Sequence, residues 1–305
     1  MSDALYDVVI IGSGPAGIQA AIHASRKKAQ VLMLGRIENS ALSVAHVENY
    51  ACISGVSDGR ELLEKGLGQV QSFGTAIAQE DVLKITGPNP LFDIVLESGR
   101  SVRSRTVIFC MGVSKTKLNI PGEKEFSGRG VSYCVDCDAN FYKGAVVAVT
   151  GNRSAAVDGA LTLLDYASRV YLIAKDLEVS EDLRQKLEAS EVEWITSSIE
   201  AVEGEQAVQS LRLTDGRDIE TEGLFIELGS KGALQLATQI GVQLDTESFK
   251  YINTNKKQET NIAGVYAAGD IVGPPLQMAK AVGEGCVAGM EAATYAKKQK
   301  RAEAQ

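Results

Sequence analysis

The sequence has few of the residues that build metal sites and disulfide frameworks. It contains only two histidines, and of its five cysteines only Cys134 and Cys137 lie close together. Because a structural zinc site needs a full set of such ligands, we expect no metal site. The wide spacing of the other cysteines is not that of a secreted disulfide framework and is typical of a reducing compartment.

Long apolar runs and an excess of basic residues are also missing. The longest apolar runs, such as Val8–Ile11, have the length of a strand and are too short for a membrane span. No basic start leads into an apolar stretch, so we expect no secretory signal and a cytoplasmic location. The net charge of −8 argues against a nucleic-acid-binding surface, which would be basic.

The composition is otherwise that of a globular protein with room for more than one domain. The 305 residues are 45% hydrophobic and 23% charged. Two segments, beginning near Asp7 and near Ala145, each read as a buried strand, a glycine-rich turn, a helix and a second strand. This order predicts an α/β protein with two Rossmann-like, three-layer nucleotide-binding domains.

The first glycine-rich turn has the pattern of a dinucleotide-binding site. A predicted strand, Asp7–Ile11, leads directly into Gly12-Ser13-Gly14-Pro15-Ala16-Gly17. In this pattern the glycines allow the backbone to approach a pyrophosphate, and the following helix directs its N-terminal N–H groups at the negative charge. The next strand ends in Leu34-Gly35-Arg36 without the usual acidic residue, so the turn does not identify the dinucleotide.

The second turn departs from that pattern. It reads Gly151-Asn152-Arg153-Ser154-Ala155-Ala156, with Arg153 where a second glycine is expected. The next strand is followed by Lys175-Asp176 rather than by paired arginines, which clamp a 2′-phosphate best. Losing two such contacts costs about 3–6 kcal/mol, so we expect no productive NADPH binding. The Arg153 guanidinium can pair with a phosphate, so a modified ligand site remains an alternative.

A Cys-x-x-Cys pair is the second chemical motif. Cys134-Val135-Asp136-Cys137 can cycle between dithiol and disulfide, and Asp138 follows it directly. The alternatives are half a metal site, for which partners are lacking, or two inert buried thiols. Asp138 can exchange the protons that the cycle requires, or it can simply cap a helix.

A third motif lies near the C-terminus. Ala267-Ala268-Gly269-Asp270 ends a predicted strand with a carboxylate. Asp270 can accept a hydrogen bond from a ribityl hydroxyl, or it can act as the N-cap of the last helix.

Taken together, these motifs resemble the low-molecular-weight thioredoxin reductase family, in the same order and over nearly the full chain. The resemblance rests on the two motifs Gly12–Gly17 and Ala267–Asp270, and on Val47-Glu48-Asn49-Tyr50, Gly128–Asp138 and Gly283-Glu284-Gly285-Cys286. It implies a homodimer with one FAD per subunit, and a second flavin stays open. It also implies that an FAD domain, residues 1–117 plus 247–305, is split by an inserted NADPH-domain-like domain, residues 118–246, which carries the cysteines.

The resemblance also implies roles for individual residues. Cys137 would face the flavin, Cys134 would exchange with the disulfide of a partner, and Asp138 would be the acid–base residue. The candidate cofactor-binding residues are Gly12, Ser13, Gly14, Pro15, Ala16, Gly17, Gly35, Asn49, Gly112, Gly269, Asp270, Gln277 and Met278.

The departures from the family pattern are typical of its atypical branch, which does not use pyridine nucleotides. Besides the second turn, Leu276 stands where the family commonly has an arginine before Gln277. We therefore expect a thioredoxin-reductase-like enzyme that takes electrons from ferredoxin or another flavin and passes them to thioredoxin or a similar protein. An NADPH-dependent reductase with a divergent pocket and a non-catalytic flavin-binding redox sensor are the alternatives.

Overall fold

The computed structural model describes residues 4–113, 117–228 and 232–303. It confirms the predicted fold class, in which one α/β unit is inserted into another. The first unit contains the described residues of Met1–Leu96, Arg100–Val113 and Ala233–Gln305, and the second those of Glu97–Gly99 and Ser114–Gly232. Within the described residues, no helix combines the length and the apolar character that crossing a membrane requires.

The return to the first unit comes earlier than the predicted boundary at residue 246. Helix Ala233–Gln239 packs in the core of the first unit, where Leu236 and Ala237 are fully buried. The Gln239 side chain also accepts a hydrogen bond from the N–H of Ile85. Residues 233–246 therefore belong to the first unit.

The first unit is built on a sheet whose centre is the predicted nucleotide-binding strand. Its strands are β1 (Ala4–Ile11), β2 (Val31–Leu34), β5 (Ala76–Ala78), β6 (Val82–Thr86), β7 (Phe92–Leu96), β8 (Ser101–Phe109) and β17 (Val265–Ala267). Strand β1 is paired in parallel with β2 and with β8, and β8 is also paired in parallel with β17. The sheet order is β5-β2-β1-β8-β7-β6.

Helices pack on this sheet, and a short hairpin lies after β2. The helices of the first unit are α1 (Pro15–Arg26), α2 (Gly59–Ser72), α6 (Ala233–Gln239) and α7 (Met278–Glu303). The hairpin consists of β3 (His46–Val47) and β4 (Ser57–Asp58). Short 3₁₀ helices span Ile37–Asn39, Ala41–Val44 and Asp270–Val272.

Strand β8 is longer than its sequence predicts. The sequence predicts two separate strands here, Ser101–Arg103 and Thr106–Cys110, with Ser104 and Arg105 between them. Both residues are buried inside one strand. The Ser104 hydroxyl donates to the Thr106 carbonyl at 2.7 Å, and Arg105 forms ion pairs with Asp7 and Glu303. These partners offset part of the cost of burying polar groups in the strand, although Arg105 Nε has no hydrogen-bond partner among the described residues.

The strands of the second unit are β9 (Val131–Ser132), β10 (Val146–Thr150), β11 (Arg169–Ile173), β12 (Glu193–Ile195), β13 (Ile199–Gly204), β14 (Val208–Leu213), β15 (Asp218–Glu220) and β16 (Gly223–Ile226). They repeat the parallel architecture with the order β12-β11-β10-β16-β9, beside an antiparallel sheet β13-β14-β15. The sequence predicts a hairpin at Val208–Thr214 and Asp218–Thr221, and β13 adds a third strand to it. The helices are α3 (Val135–Asp138), the 3₁₀ helix Ala139–Tyr142, α4 (Ser154–Leu163) and α5 (Glu181–Glu188).

Candidate functional site

The first glycine-rich turn leads into an α1 N-terminus without a side-chain cap. Gly14 is the N-cap residue, Pro15 begins the helix, and the first turn carries no acidic residue. The helix therefore opens with backbone N–H groups that no side chain of the turn neutralises. Such an end favours a negatively charged group such as a pyrophosphate.

The glycines of this turn are required for close packing. Gly12 has φ +116°, and a Cβ there would lie 2.5 Å from the Cys110 carbonyl oxygen. A Cβ on Gly17 would clash with the Gly12 carbonyl oxygen. Gly35, at φ +123°, lies beside Ser13 at the end of β2. Chain segments distant in sequence thus meet at a spacing that side chains would prevent.

Ser13 indicates that a polar group belongs here. The residue is 4% exposed, and its Oγ is buried without a hydrogen-bond partner among the described residues. An unsatisfied buried hydroxyl is costly and needs an explanation. A dinucleotide phosphate at the α1 N-terminus provides the missing partner, so this turn fits the FAD that the motifs imply.

Gly269 and Asp270 are held by an ion pair on the last helix. Lys280 Nζ donates to the Gly269 carbonyl at 2.9 Å, Glu284 Oε2 accepts from the Gly269 N–H at 2.9 Å, and the two side chains lie 3.0 Å apart. Burial raises the pKa of Asp270, against the opposing charge of Lys280. The N-cap alternative for Asp270 is wrong, since α7 begins only at Met278.

Two further candidate residues meet although they are far apart in sequence. The Asn49 side-chain amide donates to the Gln277 side chain at 3.1 Å. Both side chains are exposed, and Met278 follows as the first residue of α7. Gly112 is exposed after β8, with open space at its Cβ position. The first unit therefore carries all the candidate cofactor-binding residues.

The cysteine pair forms a disulfide in the second unit. Cys134 and Cys137 flank the start of α3, with Cα atoms 5.3 Å apart. Cys134 is the N-cap residue, and its Sγ accepts from the Cys137 N–H at 3.2 Å. Cys134 is half-buried and Cys137 is exposed. This bond removes both the inert-thiol and the half-metal-site alternatives.

The other cysteines are free. Cys52 is exposed, Cys286 is half-buried and Cys110 is buried. Burial raises the pKa of the Cys110 thiol, which keeps it protonated and unreactive. The described residues contain no group of histidine, cysteine, aspartate or glutamate side chains arranged to hold a metal ion.

Asp138 is oriented by a residue that the sequence analysis missed. Its Oδ2 accepts a hydrogen bond from the Ser132 hydroxyl at 2.6 Å. The Ser132 Oγ also accepts from the Cys134 N–H at 3.1 Å, so one buried serine links the carboxylate to the first cysteine. Asp138 precedes the following 3₁₀ helix but makes no side-chain cap bond there.

Two tyrosines near the pair are held in their protonated form. Burial and a 3.0 Å hydrogen bond to Glu123 raise the pKa of Tyr133 to about 12. Burial, together with the charge of Asp138, raises the pKa of Tyr142. Neither tyrosine therefore acts as a base near neutral pH.

In the second glycine-rich turn, Arg153 is paired with an acidic side chain of the protein. Arg153 Nε lies 3.0 Å from Glu178 Oε2, and the Glu178 N–H donates to the Asn152 carbonyl at 2.7 Å. The cation that could have paired with a phosphate therefore already has an anionic partner. Lys175 and Asp176 are both exposed after β11.

Known proteins carry the same combination of folds and motifs. Residues 6–299 match the family model described as pyridine nucleotide-disulphide oxidoreductase. The thioredoxin reductase of Listeria innocua is 31% identical over 311 residues, which cover 98% of this chain and 96% of that protein. The thioredoxin reductase of Bacillus subtilis is 32% identical over 304 residues, which cover 95% of each.

Solved structures agree with this assignment. The atypical thioredoxin reductase TRi from Desulfovibrio vulgaris Hildenborough superposes with a TM-score of 0.82 at 33% identity, covering 97% of this chain and 99% of that chain. A ferredoxin-flavin thioredoxin reductase from Clostridium acetobutylicum gives a TM-score of 0.71 at 35% identity with the same coverage. The chain belongs to the pyridine nucleotide-disulphide oxidoreductase family, and within it to the low-molecular-weight thioredoxin reductases.

Proposed function

We propose that this protein is an FAD-dependent dithiol–disulfide oxidoreductase that reduces thioredoxin or a similar protein without taking electrons from NADPH. The observation that carries the proposal is the contrast between the two glycine-rich turns. The first leaves the N-terminus of α1 open and buries an unpartnered Ser13 hydroxyl, whereas in the second Arg153 is paired with Glu178.

The cofactor is assigned to the first unit and the exchange chemistry to the second. We assign one FAD per subunit, in a homodimer. Its binding residues are Gly12, Ser13, Gly14, Pro15, Ala16, Gly17, Gly35, Asn49, Gly112, Gly269, Asp270, Gln277 and Met278. The catalytic residues are Cys134, Cys137 and Asp138.

A donor of single electrons suits this arrangement, because a flavin can collect electrons singly and pass them on as a pair. The Clostridium acetobutylicum protein, with 35% identity to this chain, is a ferredoxin-flavin thioredoxin reductase. Ferredoxin or another flavin is therefore the proposed source of electrons here.

The second unit carries out the exchange. When bound, FAD supplies the electron pair, and reduction of the Cys134–Cys137 bond consumes two electrons and two protons. The Cys134 thiolate then attacks the disulfide of the partner and forms a mixed disulfide, which releases one partner thiolate. The Cys137 thiolate attacks Cys134 Sγ, restores the internal disulfide and releases the second partner thiolate. Asp138, oriented by Ser132, takes up and returns the protons.

The test mixes the purified FAD-loaded protein with NADPH without oxygen and follows the flavin absorbance. We expect no rapid bleaching, because the second turn lacks a free cation and paired arginines for the phosphates. Rapid bleaching would show an NADPH-dependent reductase with a divergent pocket instead.

A second step of the test examines electron output. Protein reduced by light should then reduce oxidised thioredoxin, and Cys134→Ser should abolish this reaction while the flavin still bleaches under light. Failure of the reduced wild-type protein to reduce any thioredoxin would contradict catalysis and favour a redox sensor.

A further inference from the structure

Glu227 is a buried acidic residue that the proposed mechanism does not use. It follows β16 and is 7% exposed. Its N–H donates to the Thr150 carbonyl, at the end of β10, at 3.0 Å. In the sheet, β10 lies between β11 and β16. Glu227 therefore lies at the carboxyl end of the strands, where the connections diverge to the two sides of β10 and where open α/β sheets usually bind a ligand.

Its carboxylate contacts the redox helix. Glu227 Oε1 accepts a hydrogen bond from the Val135 N–H at 2.9 Å, and Val135 directly follows Cys134. Helix α4 passes close to both residues at Gly159, where a Cβ would lie 3.0 Å from Val135 and 3.9 Å from the Glu227 Cγ. The peptide between Cys134 and Val135 is thus held by the carboxylate of the buried Glu227.

We infer that Glu227 is a positioning residue for the redox pair: it fixes the Cys134–Val135 peptide and keeps a negative charge next to the Cys134 thiol, so that the thiolate forms only at higher pH. The inference rests on the proposed role of the pair as the redox centre. A buried carboxylate repels a nearby thiolate more strongly than an exposed one does, because little water screens the two charges.

Other ionisable groups lie on the elements around the same thiol. They are Asp136 and Asp138 on α3, Tyr133 with its partner Glu123 before it, Tyr142 and Lys143 after it, Asp158 on α4, and Arg153 before α4 with its partner Glu178. The raised pKa values of Tyr133 and Tyr142 keep both uncharged near neutral pH. Glu227 differs from Asp136 and Asp138 in being buried and bonded to the backbone next to Cys134.

The experiment measures the acidity of the thiol in the full-length protein. Dithiothreitol supplies two electrons and two protons to open the disulfide and is then removed. The rate of alkylation of Cys134 by iodoacetamide is followed by mass spectrometry from pH 5 to 10. Glu227→Gln keeps a hydrogen-bond acceptor but removes the charge, and we expect the midpoint to move about one pH unit lower.

Glu222→Gln is the matched control. Glu222 precedes β16 at its opposite end, where its carboxylate also accepts a backbone N–H, that of Val146, at 3.3 Å. It is exposed, and we expect its replacement to leave the midpoint unchanged. Glu227→Asp keeps the charge and should stay close to the wild type.

Glu227→Met is a second variant, which removes both the charge and the acceptor of the Val135 N–H. Each variant is first shown to be folded by its thermal melt. An unchanged midpoint in a folded Gln or Met variant, or an equal shift in Glu222→Gln, would overturn the inference. Because the protein is reduced chemically, this result does not depend on the electron donor or on thioredoxin.

Discussion

At the scale of single residues, the chemistry of the disulfide depends on side chains that surround it. Ser132 is the central one, since its buried hydroxyl donates to Asp138 and accepts from the Cys134 N–H. A hydroxyl in this place holds the Asp138 carboxylate and the first cysteine in a fixed relation. Removing it leaves the half-buried Asp138 carboxylate and the Cys134 N–H without that partner, which is costly.

We predict that Ser132→Ala slows the reduction of oxidised thioredoxin by light-reduced protein about tenfold and lowers the free energy of unfolding by about 1–3 kcal/mol. The reason is that Asp138 loses the donor that orients it. Stopped-flow measurement of a single turnover checks the rate, and urea titration checks the stability.

The control for that prediction is Ser168→Ala. The Ser168 hydroxyl donates to the Ala145 carbonyl at 3.1 Å and lies in the same unit. We expect the turnover of this variant to equal that of the wild type. An unaltered rate in Ser132→Ala would mean that Asp138 is oriented without the serine.

At the scale of elements, two strand–turn–helix segments of the same topology present different side chains at the N-terminus of the helix. The turn before α1 leaves the helix N-terminus free of side chains, and Gly12 and Gly17 keep it close to its neighbours. In the turn before α4, Arg153 takes the N-cap position and is paired with Glu178. The two turns therefore differ in the residue at the N-cap position, a glycine in one and an ion-paired arginine in the other, although neither helix has a side-chain cap.

Two substitutions in the first turn separate folding from cofactor binding. Gly12→Ala forces a side chain to φ +116° and against the Cys110 carbonyl, so we expect the apoprotein to lose about 1–3 kcal/mol of stability. Gly14 has φ −78°, and its Cβ would meet only the Ser40 side chain, whose Oγ would lie 3.2 Å away. We expect Gly14→Ala to fold normally but to bind FAD at least tenfold more weakly, about 1.4 kcal/mol.

Both effects are measurable on the apoprotein. Thermal melts report stability, and the quenching of FAD fluorescence on binding reports affinity. Wild-type affinity in a folded Gly14→Ala protein would show that the backbone of this turn does not contact the pyrophosphate.

At the scale of the whole molecule, each unit has its own hydrophobic cores. In the first, one core contains Met33 and Leu63, and another contains Phe92 and Phe109. In the second, Phe225 and Leu211 belong to separate cores on the two sides of the parallel sheet. A unit with its own core can unfold as a unit of its own.

We therefore predict two calorimetric unfolding transitions, and we expect FAD to raise the midpoint temperature of only one of them. A ligand in thousandfold excess over its dissociation constant stabilises the unit that binds it by about 4 kcal/mol. Leu211→Ala, at a fully buried position of the second unit, should lower the free energy of unfolding of that unit by about 2–5 kcal/mol and so shift the other transition to a lower temperature. A single transition that FAD and Leu211→Ala move together would contradict this prediction.

Much of the fold could be read from periodicity and turns. Strand Val31–Leu34 is predicted to the residue, because it is a short apolar run between turn signals. The sequence predicts a break in strand β8 at Ser104 and Arg105, and the partners of Arg105, Asp7 and Glu303, come from distant parts of the chain. The sequence does not reveal helix Ala233–Gln239, because its apolar residues pack against the first unit, whose preceding segment ends more than a hundred residues earlier at Val113.

The sequence alone was sufficient to identify the two units, the glycine-rich turn, the cysteine pair and the family, because these depend on local spacing. Only the tertiary structure paired Arg153 with Glu178, Ser132 with Asp138, and Glu227 with the Val135 N–H. These partners lie on different elements, and which side chain neutralises a charge or fills a helix end depends on how those elements pack.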